Sequence, residues 1–343
     1  MMKTGERPNV KNGSSFPRKR ESRPWMSREK RDMTTPRFSP IAFFLLLTFA
    51  FWLSPFTLFA AFEDPYWSAR VAAMGGAFTA LSDDPTGVFY NGAATVKIKK
   101  RQANFSYAKL FTGLDEVKLS LSQFAYVGPL KNYGFVGIGW GNFGADFYRE
   151  DTVLASYAYD LSDVFEGYEG LLSVGVSMRY LTRRFVIDER TVNDPVFSDG
   201  NRTHAAAVDL HWFSKPEPNL FPGLSLGISV KSINQPNVGF KDVERLPREV
   251  TGGIAYRWRE LSIPIDIGSR AGHITPHLGI ERFFMDENLA LRLGSDLSEI
   301  GTGFGFVHRL SRTQRLVFDY AFQWPLKLKQ GSGSHRATVG IKF

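Results

Sequence analysis

The chain has 343 residues, no Cys, 32 Gly, 30 Phe and a mean hydropathy of −0.18. Without Cys there is no disulfide framework, no thiolate-ligated zinc or iron–sulfur site and no cysteine-anchored lipoprotein, and the slightly negative hydropathy argues against a bundle of membrane helices. The formal charge of +8 is no nucleic-acid signature, because residues 1–60 hold 11 Lys/Arg against 4 Asp/Glu and the rest of the chain is nearly balanced.

Residues 1–32 read as a non-native or mis-annotated leader. Ser14-Ser-Phe-Pro-Arg-Lys-Arg-Glu-Ser-Arg23 resembles the translation of a dispersed bacterial DNA repeat, and Met26 and Met33 are alternative starts. Residues 33–61 read as a signal peptide. Arg28, Lys30, Arg31 and Arg37 precede an apolar run from Pro40 to Phe59, and the small residues Ala60 and Ala61 follow. A membrane anchor is the competing reading, but Pro55 interrupts the run and no second span follows. Cleavage falls near Ala60 or Ala61, although Leu58 or Phe59 then stands where a small residue is preferred.

Residues 62–100 show no strand alternation. Gly75-Gly76 permits positive φ and close backbone approach. Ala72, Ala73, Ala77 and Ala80 make a slim element, and Asp83-Asp84-Pro85 is a turn or helix-start signal.

From residue 101 onward apolar and polar residues alternate with period two, the pattern of strands with two unlike faces. Fourteen segments are expected: 103–110, 116–127, 131–141, 152–160, 170–183, 203–213, 223–233, 248–258, 261–268, 273–283, 287–297, 300–309, 315–323 and 335–343. The second loses phase near Gln123, which reads as a bulge. The longest connections, near 142–151, 184–202, 234–247 and 324–334, all follow odd-numbered strands and so lie at one end. The final strand, His335 to Phe343, carries Ala337, Val339, Ile341 and Phe343 on one face and stops on the aromatic residue. A terminal Phe is the typical close of bacterial outer-membrane proteins, and the resemblance makes Phe343 the assembly signal.

The expected fold is therefore all-β: a closed antiparallel transmembrane β-barrel of about 14 strands over 101–343, preceded by a short helical plug over 62–100. Roughly eight strands fill their own interior and roughly sixteen leave a channel, so fourteen leave a lumen that is open or plugged. A helical cap outside the barrel is the alternative place for 62–100.

Ala73-Met-Gly-Gly-Ala-Phe78, Asp83-Asp84 and Tyr90-Asn-Gly-Ala93 resemble the N-terminal signature of the FadL-like outer-membrane barrels, in their PorV/PorQ-type branch. Gly92 stands where that pattern usually has Pro. Leu246-Pro-Arg248, Gly253 to Trp258 and the closing strand are PorV/PorQ-like as well. The resemblance implies a plug formed by Met74, Gly75, Gly76, Ala77, Asp83, Asp84, Tyr90 and Asn91. It also implies passive passage of apolar small molecules across the outer membrane or, in the PorV branch, an accessory role in protein secretion or surface assembly. Outer-membrane lipid, the barrel-assembly machinery and either an apolar small-molecule ligand or exported proteins are the expected partners, with no nucleic acid.

No constellation rises to chemistry. Asp209 and His211 share the lumen face but lack a placed Ser nucleophile. His273 and His277, four apart on a strand, are too widely separated to share a metal. Gly137 to Gly144 lacks the βαβ surroundings of a dinucleotide loop. Asp188, Glu189, Asp194 and Asp199 lack the spacing of a calcium loop. Trp140, Tyr180, Trp212, Tyr256, Trp258, Tyr320 and Trp324 read as an interfacial aromatic girdle. No catalytic residue, metal or cofactor is assigned.

Overall fold

The computed structural model describes residues 61–343 apart from 115–117, 165–168, 190, 199 and 329–330. The leader, most of the signal peptide and Asp199 lie outside the described residues. The first seven strands are β1 (Gln102–Leu110), β2 (Leu119–Pro129), β3 (Phe135–Gly144), β4 (Tyr148–Asp160), β5 (Leu171–Phe185), β6 (Arg202–Lys215) and β7 (Leu224–Lys231). The others are β8 (Glu249–Trp258), β9 (Leu261–Arg270), β10 (His273–Phe284), β11 (Leu289–Ser295), β12 (Glu299–Arg309), β13 (Arg315–Pro325) and β14 (Ser334–Lys342).

Each strand pairs antiparallel with its sequence neighbours, and β1 closes on β14 with Gln102 opposite Lys342 and Lys109 opposite His335. The result is a closed barrel of fourteen strands among the described residues. Closure leaves no unpaired edge. The period-two pattern sets which face points where. Ile228, Leu291, Leu293, Phe318 and Val339 are exposed on the outside, and Leu226 lies on the same face of β7. Ser177, Asp209, Asp266, Glu281 and Arg292 are buried inside. An apolar exterior around a polar lumen is the arrangement of a membrane barrel.

The long connections 186–201, 232–248 and 326–333 follow β5, β7 and β13, all at the end called outer here. The expected long connection near 142–151 is instead the short turn 145–147, because β3 and β4 pair out to Gly144–Arg149 and Ala145 N donates to Tyr148 O at 2.7 Å. The Asn, Gly and Asp that read as loop are strand residues: Asn142 Nδ2 donates to Asp151 Oδ1 at 2.8 Å across the ladder.

Nor does β2 bulge at Gln123. Its register to β1 runs unbroken from Leu110–Leu119 to Gln102–Val127. The phase is lost in the sequence because inward positions Leu121, Ala125 and Val127 are apolar as well; Ala125 and Val127 join a buried cluster with the N-terminal segment. Two ladders are thinned. Proline has no N–H to donate, and the β9–β10 pairing skips Ile263–Pro264 opposite Gly279–Ile280. The β6–β7 pairing covers only Leu210–Ser214, and loop 232–248 backs the outer half of β6 through Ile233 N to Val208 O and Asn234 Nδ2 to Ala206 O.

Candidate functional site: the segment across the lumen

The N-terminal segment crosses the barrel from its outer to its inner end. At the outer end Phe62 N meets Glu150 near the start of β4, and Arg270 at the end of β9 donates to the carbonyls of Ala61 and Phe62. At the inner end the chain passes Lys97 and enters β1. Between them lies a single short helix, α1 (Ala69–Ala73), capped by Ser68, whose Oγ accepts from Val71 N. Five residues suit a narrow space, and four of them (Ala69, Val71, Ala72, Ala73) are buried.

Gly75 and Gly76 end α1 with φ of 61° and 86°. Only glycine fits: a Cβ on Gly75 would stand 2.3 Å from Ser295 N, and one on Gly76 2.7 Å from His277 Nδ1. His277 Nδ1 donates to Gly75 O at 2.8 Å. Met74, Ala77 and Phe78 are fully buried. Full burial of Met74 and Phe78 contributes on the order of 1.5–3 kcal/mol each. Phe78 N and Thr79 N both donate to Asp266 Oδ2 on β9, at 2.8 and 2.7 Å.

Two 3₁₀ turns follow. Asp84 caps Pro85–Phe89 and Asn91 caps Gly92–Lys97, each through its side-chain oxygen. Asn91 Nδ2 also donates to Thr79 O at 3.0 Å and to Trp212 O of β6 at 2.9 Å, joining segment to wall. Tyr90 differs from its neighbour. Its hydroxyl donates to Asp64 Oδ1 at 2.8 Å and accepts from Trp67 N at 3.0 Å, so it closes the segment on itself rather than on the wall. Gly92 is held tightly, with a Cβ there 3.3 Å from both Ser177 Oγ and His211.

The wall is cut to receive these side chains. A Cβ on Gly137, Gly139 or Gly141 of β3 would stand 2.5, 2.8 or 2.3 Å from Val88, Phe89 and Trp67 respectively. Gly294 and Gly301 would likewise meet Met74 and Ala72 at 2.1 Å. Gly137, Gly139 and Gly141 are thus a socket, a role that their sequence did not announce.

Charge fastens the inner half. Arg70 contacts Glu281 of β10 twice, Asp83 at 2.5 Å and Asp84 at 3.1 Å. Glu281 also accepts from Arg292, which reaches Asp319 at 2.7 Å. Burial works against ionisation of Asp83, but Arg70 outweighs it and holds the carboxyl below its usual range. Burial of Asp84 prevails over the same guanidinium and pushes that carboxyl up. Lys97 is pushed down to about 8 by burial, and its ammonium donates to Leu81 O.

Empty space lies on both sides. A cavity of 360 Å³ opens at the outer end beside Tyr66, Leu110, Phe143, Tyr148 and Glu299. A smaller one of 160 Å³ lies at the inner end beside Asp83, Phe283, Arg292 and Asp319. Between them Val71, Met74, Phe78, Val88, Phe89 and Tyr90 pack as one buried cluster.

The remaining residues singled out by sequence fall as follows. Ser177 Oγ stands 3.0 Å from His211 Nε2, but His211 is backed by Ser229 at 3.1 Å, not by Asp209, which is bound to Arg179. Ser177, Asp209, His211 and Ser229 are all buried. Asp188 and Asp194 cap local turns. Among the described residues no cluster of His, Asp or Glu is arranged to hold a metal ion. Trp140, Tyr180, Tyr256, Trp258 and Trp324 are exposed on the outer surface. Phe343 follows β14, with its N donating to Arg101 O at 3.0 Å.

A closed fourteen-stranded barrel with its N-terminal segment socketed in the lumen defines the class. In fold the chain is similar to the Ralstonia pickettii toluene transporter TbuX, with 12% identity over 80% of this chain and 97% of that one and a TM-score of 0.53. It is similar to the CymD monoaromatic hydrocarbon channel, with 12% identity, 80% and 96% coverage and a TM-score of 0.52. It is also similar to a Pseudomonas aeruginosa FadL homologue, with 11% identity, 81% and 98% coverage and a TM-score of 0.50. The chain therefore shares its fold with these three proteins. No family model matches the chain, and no curated protein matches it in sequence.

Proposed function

We propose that the chain is a passive outer-membrane channel for apolar small molecules, held shut at rest by residues 68–94. The observation that carries this reading is the socketed segment lying between two cavities, in a fold shared with toluene and hydrocarbon channels. The apolar middle of the segment suits an apolar solute sliding past it. The charged inner end gives a latch that can reform. In this reading residues 33–61 direct export and are removed, the exterior apolar band meets membrane lipid, and Phe343 is read by the barrel-assembly machinery. No cofactor, metal or nucleic acid takes part.

Uptake of labelled toluene by cells lacking their own hydrocarbon channels tests the reading. Cells making this barrel are expected to take it up faster than cells without it; equal rates would contradict the proposal. The segment packed across the middle of the lumen supports one second reading, a PorV/PorQ-like accessory barrel for secretion or surface assembly. That reading expects unchanged uptake, together with loss of exported proteins from the cell surface when the barrel is deleted.

A further inference from the structure

Three arginines stand side by side on the outside of the barrel. Arg149 of β4 is directly opposite Arg184 of β5, and Arg184 is directly opposite Arg202 of β6. All three are exposed. Period two puts them on the same face as Val153, Tyr180 and Leu210, which points away from the lumen. Neighbouring strands lie about 4.8 Å apart, so the three share a span of about 10 Å. Like charges directly opposite one another destabilise a sheet. Among the described residues none of the three side chains has a hydrogen bond or an ion pair to offset this. Glu150 is buried on the lumen side, and Asp146, Asp151 and Asp188 have partners of their own in Lys118 N, Asn142 and Thr191.

The height of this row on the wall defines what meets it. Four residues farther in along each strand, Val153, Tyr180 and Ala206 form another cross-strand row, and Trp140 of β3 is opposite Val153. Met178, Val176 and Leu210 continue the exposed apolar face toward the inner end. Trp and Tyr mark the headgroup level of a membrane barrel. The arginines lie beyond that level by about 13 Å of strand, less in height because barrel strands tilt. Between the two rows stand Asp151, Thr182 and His204, all polar. A guanidinium on its long stem reaches back over them to the level of lipid headgroups.

We propose that Arg149, Arg184 and Arg202 together bind the phosphate groups of a membrane lipid in the outer leaflet. Guanidinium is planar and meets phosphate oxygens in pairs, so three adjacent forks suit a phosphorylated headgroup. The acyl chains of that lipid lie along the apolar face of Val153, Tyr180, Met178 and Val176. The lipid supplies the counter-charge that the sheet lacks. The assignment rests on the long connections 186–201, 232–248 and 326–333 marking the outer end, and not on the channel reading.

Native mass spectrometry of the detergent-solubilised barrel with added lipid tests this. The probes are lipid A with its phosphates, the same lipid A with them removed, and inorganic phosphate. Wild type is expected to bind the phosphorylated lipid about a hundredfold more tightly than the dephosphorylated one, from roughly fivefold per guanidinium at a charged lipid surface. Arg149→Gln, Arg184→Gln and Arg202→Gln together are expected to abolish most of that preference and to leave the barrel folded, since they remove repulsion. Arg309→Gln with Arg312→Gln, two exposed arginines at the inner turn after β12, is the control and is expected to change nothing. If the triple variant does not fold, Arg184→Gln alone is expected to lower the preference about fivefold. Equal binding of both lipids by wild type, or an undiminished preference in a folded variant, would overturn the proposal. Inorganic phosphate bound as tightly as the lipid would make the row a free-ion site and overturn it too. So would a triple variant that keeps the lipid preference but loses a protein that co-purifies with wild type, which would give the row to a protein partner.

Discussion

The guanidinium of Arg70 meets the carboxylate of Glu281 side-on, Nε to Oε1 at 2.9 Å and Nη2 to Oε2 at 2.7 Å, across 211 residues of chain. Two parallel charge-assisted bonds fix direction as well as distance. This pair couples the segment in the lumen to the barrel wall, and Glu281 hands the charge on to Arg292 and Asp319.

Removing Arg70 takes the cation from Asp83 and Asp84 while Glu281 keeps Arg292, so the cost falls at or below the roughly 3–5 kcal/mol of a broken buried pair. Arg70→Met is therefore expected to loosen the inner half of the segment without unfolding the barrel. Swelling of liposomes in a small sugar reads the outcome: faster swelling than with wild type is expected. Wild-type swelling with unchanged protease protection of residues 68–94 would show that the latch is not needed.

The pair Arg70–Asp83 makes this latch sensitive to acid. The Asp83 carboxyl is held below its ordinary value, so the stabilisation is complete above about pH 4 and is lost as pH falls further. Asp83→Asn is expected to expose the segment to added protease at pH 7. The gap between variant and wild type is expected to narrow below about pH 4. A gap that widens in acid would mean the sign of the coupling is wrong.

Gly301 packs against α1, where an added Cβ would stand 2.1 Å from Ala72 O. Backbone cannot yield as a side-chain end can, so Gly301→Val is expected to push α1 out of its seat while the barrel still forms. Gly252, on the wall with nothing within 4 Å of an added Cβ, is the control. Equal protease patterns for Gly301→Val and Gly252→Val would contradict the socket.

Leu291 and Ala290 are neighbours on opposite faces of β11, the first 49% exposed outside and the second 3% exposed inside beside the inner cavity. Arg at Leu291 is expected to cost about 2–4 kcal/mol near the bilayer midplane. Arg at Ala290 can reach the cavity and is expected to cost less. Comparable losses in reversible folding into lipid would place lipid on neither face.

Most of the barrel is legible in the sequence because strand alternation is local. Ser225, Gly227 and Ser229 against Leu226 and Ile228 state the face of β7 without any knowledge of its neighbours. The strand-like Asn142 and Asp151 misled because turn residues at a barrel rim look like turn residues in a loop. The candidate site was legible only in part. Gly75-Gly76 and the Asp83-Asp84 pair mark a folded segment, but Ser295 and His277, which face the glycines, and Glu281, which shares Arg70 with the two Asp, lie some 200 residues away, and a strand reports little of what sits inside it. The inward glycines of β3 read as ordinary barrel glycines because a socket is defined by what fills it. The apolar inward residues of β2 were the one local clue: a lumen face that is apolar expects a packed neighbour rather than water.

The most direct test of a gating segment is to fasten it. Ala69 N and Thr338 Oγ1 of β14 are 2.9 Å apart, and the chain has no Cys of its own, so Ala69→Cys with Thr338→Cys offers a single bridge between segment and wall. Once mass spectrometry shows the bridge formed, toluene uptake by cells carrying this variant is compared before and after reduction. Uptake that is absent when oxidised and returns to the wild-type rate on reduction is the expected result. Equal uptake in both states would show that passage does not depend on movement of residues 68–94.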